Sequence, residues 1–254
     1  VSQDTATSTR PKPDRGDRYD LGRMDLRRLV RVYFSYPAVL AYLALSLAGG
    51  IGAVRFGALD RPVQSVIAAI ATILAYPMIW YGLHRWFLHG RLLYRSPLTA
   101  ALWKRVHYDH HQQPQRMDVL FGSLTNTLPT ISIAAGAIGW LIGGPGVALV
   151  AVTTGLLFTC VYEFCHCIQH LNYAPKNPWL KTIKRLHMAH HFHNEKGNFG
   201  IISFWPDRLF GTYYADARER PRSPTVFNLG YDGEDAIRYP WVAELSRERP
   251  DSQP

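Results

Sequence analysis

Stretches without a charged side chain alternate along this chain with strongly basic ones. Residues 32–54, 62–83 and 119–162 contain no Asp, Glu, Lys or Arg. A helix that crosses a bilayer needs about 20 apolar residues, so each of the first two runs supplies one crossing. The third run is 44 residues long and is interrupted by Gly143-Gly144-Pro145-Gly146. Gly and Pro in that density break a helix, so the third run reads as two crossings joined by a tight turn. The pattern predicts four transmembrane helices, at about 36–55, 62–83, 119–142 and 146–165. Buried helices of a soluble protein are the competing explanation, and three such runs in a chain of 254 residues argue against it.

The polar intervals have their own pattern. Residues 1–22 are rich in Thr, Asp, Arg and Pro and are expected to be a disordered tail rather than a secretory leader. Met24–Phe34 alternates Arg with bulky apolar residues, which suits a segment lying at the membrane surface. Residues 91–113 should form one or two helices starting after Ser96-Pro97, and 178–193 another, with Trp179, Ile183 and Leu186 at helical spacing. Beyond Gly197 the pattern is short and broken, and 215–254 shows no clear core. Three regions follow: 1–31 as tail and interfacial segment, 32–214 as the membrane-embedded domain with its cap, and 215–254 as a C-terminal extension. Gly136, Ala137, Gly139 and Gly155 are expected at close helix–helix contacts.

Charge then orients the chain. There are 28 Lys and Arg against 19 Asp and Glu, a net charge of +9. All but Arg55 and Arg61 lie before the first crossing, between the second and third, or after the fourth. Basic residues stay on the cytoplasmic side, so both termini and the loop after the second crossing are expected there. The basic balance thus reads as topology and attraction to an anionic lipid surface, and nucleic-acid binding loses its support. Trp80, Tyr81, Trp86, Tyr94 and Trp103 suit an aromatic belt at that interface. Three cysteines, Cys160, Cys165 and Cys167, exclude a disulfide scaffold and read as small buried residues.

Eleven histidines remain, none before residue 84. Ten form four clusters: His84 and His89; His107, His110 and His111; His166 and His170; His187, His190 and His191. Residues three and four apart on a helix share a face, so each cluster aims imidazoles at one point. The predicted topology brings all four clusters to the cytoplasmic edge of the bilayer. Ten imidazoles exceed what one ion can bind, so the division points to two ions. Imidazole suits Zn, Cu, Fe and Ni. Glu163, Asp109 and Asp207 are candidate partners that would fix imidazole tautomers, and His193 reads as a solvated neighbour. The expected fold class is therefore an all-α integral membrane protein, with four transmembrane helices and a cytoplasmic helical cap carrying a histidine-rich dimetal site. A zinc-dependent membrane hydrolase and a metal transporter are the other classes compatible with clustered histidines. Transport would need polar ligands within the bilayer, and the second and third crossings carry no charge.

The order and spacing of these boxes resemble the fatty acid hydroxylase / sterol desaturase superfamily, and within it the box pattern of fatty acid 2-hydroxylases. The resemblance runs from about Trp80 to Tyr214 and includes Asn198-Phe199-Gly200 and Asp207-Arg208-Leu209-Phe210-Gly211-Thr212. It implies a non-haem di-iron oxygenase with His84, His89, His107, His110, His111, His166, His170, His187, His190 and His191 as ligands, zinc being able to replace iron. Asn198 joins the candidate supporting residues. Many members carry Trp directly before the aspartate, where this chain has Pro206, which weakens the carry-over at Asp207. O2 would be co-substrate and a membrane lipid the substrate, with an acyl chain hydroxylated near its head group as the leading expectation. A sterol, hopanoid, carotenoid, long-chain base or ornithine lipid, or desaturation, are the alternatives. Some members carry a fused cytochrome b5 domain. Here the N-terminal tail is short and no histidine precedes His84, so electrons are expected from a separate ferredoxin, rubredoxin or cytochrome b5 with its reductase.

Overall fold

In the computed structural model, which describes residues 19–122 and 124–247, every regular element among the described residues is helical. The helices begin where the sequence provides a start signal. Asp25 caps α1 (Leu26–Phe34) by accepting from the Arg28 amide at 2.7 Å. Proline stands in the first turn of α2 (Pro37–Arg55) and α3 (Pro62–Gly82), where its missing N–H costs nothing. The α3 helix runs on through a π-helical turn, Leu83–Leu88. Next come α4 (Pro97–Trp103), a second π turn (Lys104–Tyr108) and α5 (Asp109–Gln112) as one nearly continuous rod. They are followed by α6 (Met117–Leu120), α7 (Leu124–Gly143), α8 (Pro145–His170), α9 (Pro178–Phe192), α10 (Trp205–Leu209), α11 (Gly233–Arg238) and α12 (Trp241–Arg247).

Four of these, α2, α3, α7 and α8, are long and apolar enough to cross a membrane, α3 and α7 with their flanking turns. The α8 helix is central and packs against α2, α3 and α7. The bundle turns its apolar side chains outward as well as inward, and Leu47, Leu74, Ile133 and Leu141 are all exposed. Such a surface would be costly in water and is the normal lipid-facing surface of an integral membrane protein. Small residues set the closest approaches. A Cβ at Gly139 would lie 2.5 Å from the Val147 carbonyl oxygen, and one at Gly155 would lie 2.8 Å from Ile131. At the turn between α7 and α8, Gly144 has φ 78°. A Cβ at Gly146 would lie 2.4 Å from the Phe56 carbonyl oxygen.

Apart from the short turn Ala58–Asp60, which lies against Gly146 at the far end, the remaining elements gather at the other end of the bundle. In α1, Leu29 and Tyr33 face inward while Arg27 and Arg31 are exposed, and the Tyr33 hydroxyl donates to the Cys160 carbonyl. Most of the expected tail, 1–22, lies outside the described residues. Its last part is anchored, with Leu21 buried and its amide donating to the Gln115 carbonyl. The C-terminal extension differs from expectation. Leu229, Tyr231 and Val242 are buried against Tyr94, Ala100 and Trp103, so the segment has a core of its own, shared with α4. The same cluster revises the aromatic belt. Tyr81, Tyr94 and Trp103 are buried packing residues, whereas Trp86 is half exposed. An amphipathic ring fills a core as readily as it sits at an interface, and only the tertiary contact decides.

Candidate metal centre

All ten histidines of the four clusters converge at that end of the bundle, and they sort into two groups of five. His84, His89, His107, His111 and His190 form one group. His110, His166, His170, His187 and His191 form the other. Within each group one ring nitrogen per residue lies within 4.8 Å of all the rest. Helix geometry explains the sorting. His107 and His111 are four apart and face one point, as do His187 and His191, and His166 and His170. The adjacent residue in each H-x2-H-H box, His110 or His190, is turned about 100° around the helix and joins the opposite group. The H-x4-H pair would diverge on an α-helix. Here the π turn closes a bond from the His89 amide to the His84 carbonyl at 3.0 Å. Both rings then fall on one side, an arrangement often found at functional sites.

The ring nitrogens are set for cations. His84 Nδ1 lies 2.6 Å from the Phe199 carbonyl oxygen, His190 Nδ1 2.8 Å from that of Gly197, and His111 Nδ1 3.1 Å from that of Val226. A carbonyl only accepts, so each Nδ1 carries the proton and each Nε2 presents a lone pair. His84 Nε2 is 3.2 Å from His89 Nε2, which is 2.7 Å from His107 Nε2. In the second group His187 Nε2 lies 3.0 Å from His166 Nε2 and 2.9 Å from His170 Nε2. Nitrogens bound at right angles to one ion at about 2.1 Å would be roughly 3 Å apart. His110 Nε2, His111 Nε2, His190 Nε2 and His191 Nε2 are buried without any hydrogen-bond partner. Orphaned buried nitrogens are costly unless a group other than a protein atom satisfies them. The donor set therefore fits two imidazole-bound ions.

Burial, reinforced by neighbouring imidazoles, pushes His107, His110, His187 and His191 well below the usual imidazole range. His190 moves the same way, and burial takes His111 down to about 3. These rings stay neutral and free to ligate. Because they bind protons more weakly folded than unfolded, their contribution to stability is full above about pH 6.5. It is lost as pH falls towards the depressed folded values. Metal-free protein in detergent should accordingly melt at a lower temperature at pH 5 than at pH 7. Equal midpoints would contradict the burial of these rings.

The supporting residues act at different removes. Glu163 is buried, with Oε2 3.8 Å from His166 Nδ1 and no hydrogen bond to that oxygen. Asp109 pairs with Lys104 at 2.5 Å. Asp207 reaches no imidazole directly. It accepts from the Phe199 amide at 2.8 Å, the Gly200 amide at 2.9 Å and the Thr212 hydroxyl at 2.8 Å, and so fixes the segment whose Phe199 carbonyl holds His84. Burial raises the Asp207 carboxyl, and those three donors oppose the rise. Asn198, at φ 55°, exchanges side-chain bonds with the Tyr214 backbone at 2.8 and 3.0 Å. It stands between the two carbonyls that hold His190 and His84. His193 bonds to the Arg220 carbonyl at 2.8 Å and belongs to neither group. The Val226 carbonyl was invisible to sequence reasoning, because a backbone acceptor has no side-chain signature.

A cavity of about 410 Å³ adjoins both groups. Its wall is apolar, with Leu83, Phe87, Leu88 and Val106 among its residues, and His84, His107, His110, His166, His187 and His191 border it. Trp80 stacks on Tyr162 along one side, ring centroids 5.7 Å apart. Glu163, Asn126, Thr125, Thr127 and Thr130 add polar groups to its wall.

The chain is similar in sequence to several known hydroxylases. The ceramide very long chain fatty acid hydroxylase SCS7 of Saccharomyces cerevisiae is 29% identical over 150 residues, which are 56% of this chain and 36% of that protein. The chain thus matches little more than a third of SCS7. The dihydroceramide fatty acyl 2-hydroxylase FAH2 of Arabidopsis thaliana is 27% identical over 187 residues, 69% of each chain. A β-carotene hydroxylase of Paracoccus sp. (strain PC1) is 25% identical over 126 residues, 49% of this chain and 73% of that one. Among solved structures, full-length scs7p with only its hydroxylase domain visible has the same fold. Its TM-score is 0.59 at 24% identity, over 75% of this chain and 69% of the other. The family model described as fatty acid hydroxylase matches residues 69–212, a stretch that holds all ten clustered histidines and more than half of the sequence. This chain belongs to the fatty acid hydroxylase family.

Proposed function

We propose that the protein is an O2-dependent membrane oxygenase that hydroxylates an acyl chain of a membrane lipid close to its head group, with the 2-position as the first candidate. The observation that carries this reading is the apolar cavity bordered by histidines of both groups. At about 410 Å³ it falls within the usual range for small-molecule sites. Relatives named as fatty acyl 2-hydroxylases support the substrate class. The β-carotene hydroxylases among the relatives favour a carotenoid as the second reading. The placement of basic residues supports a cytoplasmic location for the centre and both termini.

Two iron ions held by the ten histidines would supply O2 activation, and zinc can occupy the same nitrogens. Overall, a C–H group, O2, two electrons and two protons give an alcohol and water. The electrons come from a separate one-electron carrier. The chain supplies the setting. Leu83, Phe87, Leu88 and Val106 exclude water and hold a hydrocarbon chain beside the imidazoles. Phe199, Gly197 and Val226 carbonyls keep the Nδ1 protons on His84, His190 and His111, which leaves each Nε2 free for metal. Glu163 places a buried carboxylate oxygen 3.8 Å from the His166 ring, where it would offset positive charge at the centre.

The test is lipid mass spectrometry of cells with and without the protein, grown under ¹⁸O2. A lipid heavier by one ¹⁸O atom, with the label on an acyl carbon near the head group, is the expected product. A loss of two hydrogens would mean desaturation instead. No change in any lipid class would refute the reading.

A further inference from the structure

The metal-binding histidines are approached from a second side. A cleft of about 550 Å³, separate from the apolar cavity, is bordered by His170 and by polar residues of the N-terminal segment, α8 and α9. Its character is opposite to that of the cavity. Arg23 and Lys184 supply positive charge to it, Asn172 and Gln169 supply amides, and Asp20 is the acidic side chain on its wall. Asp20 pairs with Arg23 at 3.2 Å and offsets its charge, so the excess positive charge of the wall is that of Lys184, whose Nζ donates to the Leu171 and Ile168 carbonyls. Lys181, one helical turn before Lys184 and exposed, extends the same face of α9 with a further positive charge. Gln169 is fully buried. Its Nε2 donates to the Ile201 carbonyl at 2.6 Å, and its Oε1 has no partner. His170 is the link, since its Nε2 lies 2.9 Å from His187 Nε2 within the second group while the residue also borders the cleft.

We propose that this cleft is the docking site of a small acidic one-electron carrier protein, and that His170 is the side chain through which its electrons enter the centre. The lipid cavity is apolar and would be filled by substrate during turnover, so it offers a charged protein no approach. The polar cleft leaves the centre accessible while substrate is bound. Its basic rim attracts an acidic partner and orients it, an effect that salt weakens. Each docking event oxidises one carrier by one electron. Two events, with two protons from solvent, complete the balance of hydroxylation. The proposal rests on the oxygenase reading only for the need for electrons.

The experiment uses the full chain loaded with ferric iron in lipid nanodiscs, without added substrate. A pre-reduced plant-type ferredoxin is mixed in, and its re-oxidation is followed by stopped-flow absorbance. Dithionite, a small reductant that needs no protein docking surface, gives the reference rate for each variant. Lys181→Glu and Asn172→Trp should lower the ferredoxin-to-dithionite rate ratio at least tenfold. Arg238→Glu, on α11 and outside the cleft, should leave the ratio as in wild type. The wild-type ferredoxin rate should fall with added salt, and less steeply so in Lys181→Glu. Equal ratios in wild type and both cleft variants, or a wild-type rate indifferent to salt, would overturn the proposal. A protein that passes this test yet adds oxygen to no lipid would refute the oxygenase reading and leave the docking site standing.

Discussion

His110→Ala and His111→Ala, substitutions at adjacent positions, are expected to release different ions. His110 stands with His166, His170, His187 and His191, whereas His111 stands with His84, His89, His107 and His190. Each single variant, equilibrated with iron and then challenged with a weak chelator, should retain about one metal ion per chain. The double variant should retain none. Hydroxylation should fall by more than about 100-fold in either single variant, because removing mere outer-shell partners of a metal already costs about 10–100-fold. Elemental analysis of the purified chains reads the stoichiometry directly. Full occupancy in either single variant, or loss of both ions from one, would show that the helix does not divide its histidines in this way.

The second large effect is expected at a residue that touches no imidazole. Asp207→Ala removes the acceptor of the Phe199 and Gly200 amides and the Thr212 hydroxyl. A buried donor left without a partner costs about 1–3 kcal/mol, so the loss should be roughly 3 kcal/mol or more across the three. The segment freed by the change carries the Phe199 carbonyl that fixes His84. Metal affinity in the group that contains His84 should therefore drop, by about 10–100-fold. Asp207→Asn keeps one carbonyl acceptor and should fall between wild type and alanine. Thermal unfolding and metal content in detergent check both statements. An alanine variant that melts and binds metal like wild type would remove Asp207 from the support of the centre.

How far the sequence foretells these relations depends on the kind of interaction. The four crossings were legible because a bilayer demands long uncharged helices, and few other structures need them. Convergence of the clusters was legible for the same reason, since the ends of α3 and α8 must emerge on one face. The division into two groups was not. It depends on 100° between consecutive residues and on a π turn at Leu83–Leu88, and neither the local hydropathy nor the spacing of His84 and His89 announces that turn. Asp207 and Asn198 were legible only through resemblance, because they act on backbone groups of a loop. Tyr81, Tyr94 and Trp103 were misplaced at the interface, since the C-terminal segment that buries the last two has no periodicity of its own. Asn126 and Thr130, on the cavity wall, look in sequence like ordinary residues near the start of a membrane helix.

The bond from His111 to the Val226 carbonyl has a consequence for biosynthesis. Residue 226 leaves the ribosome after every histidine of the centre has been made. His111 acquires the acceptor that fixes its tautomer only when the segment around residue 226 folds back over it. A nascent chain interrupted before Val226 would already contain all five histidines of the second group, whereas His111 in the first group would still lack its acceptor.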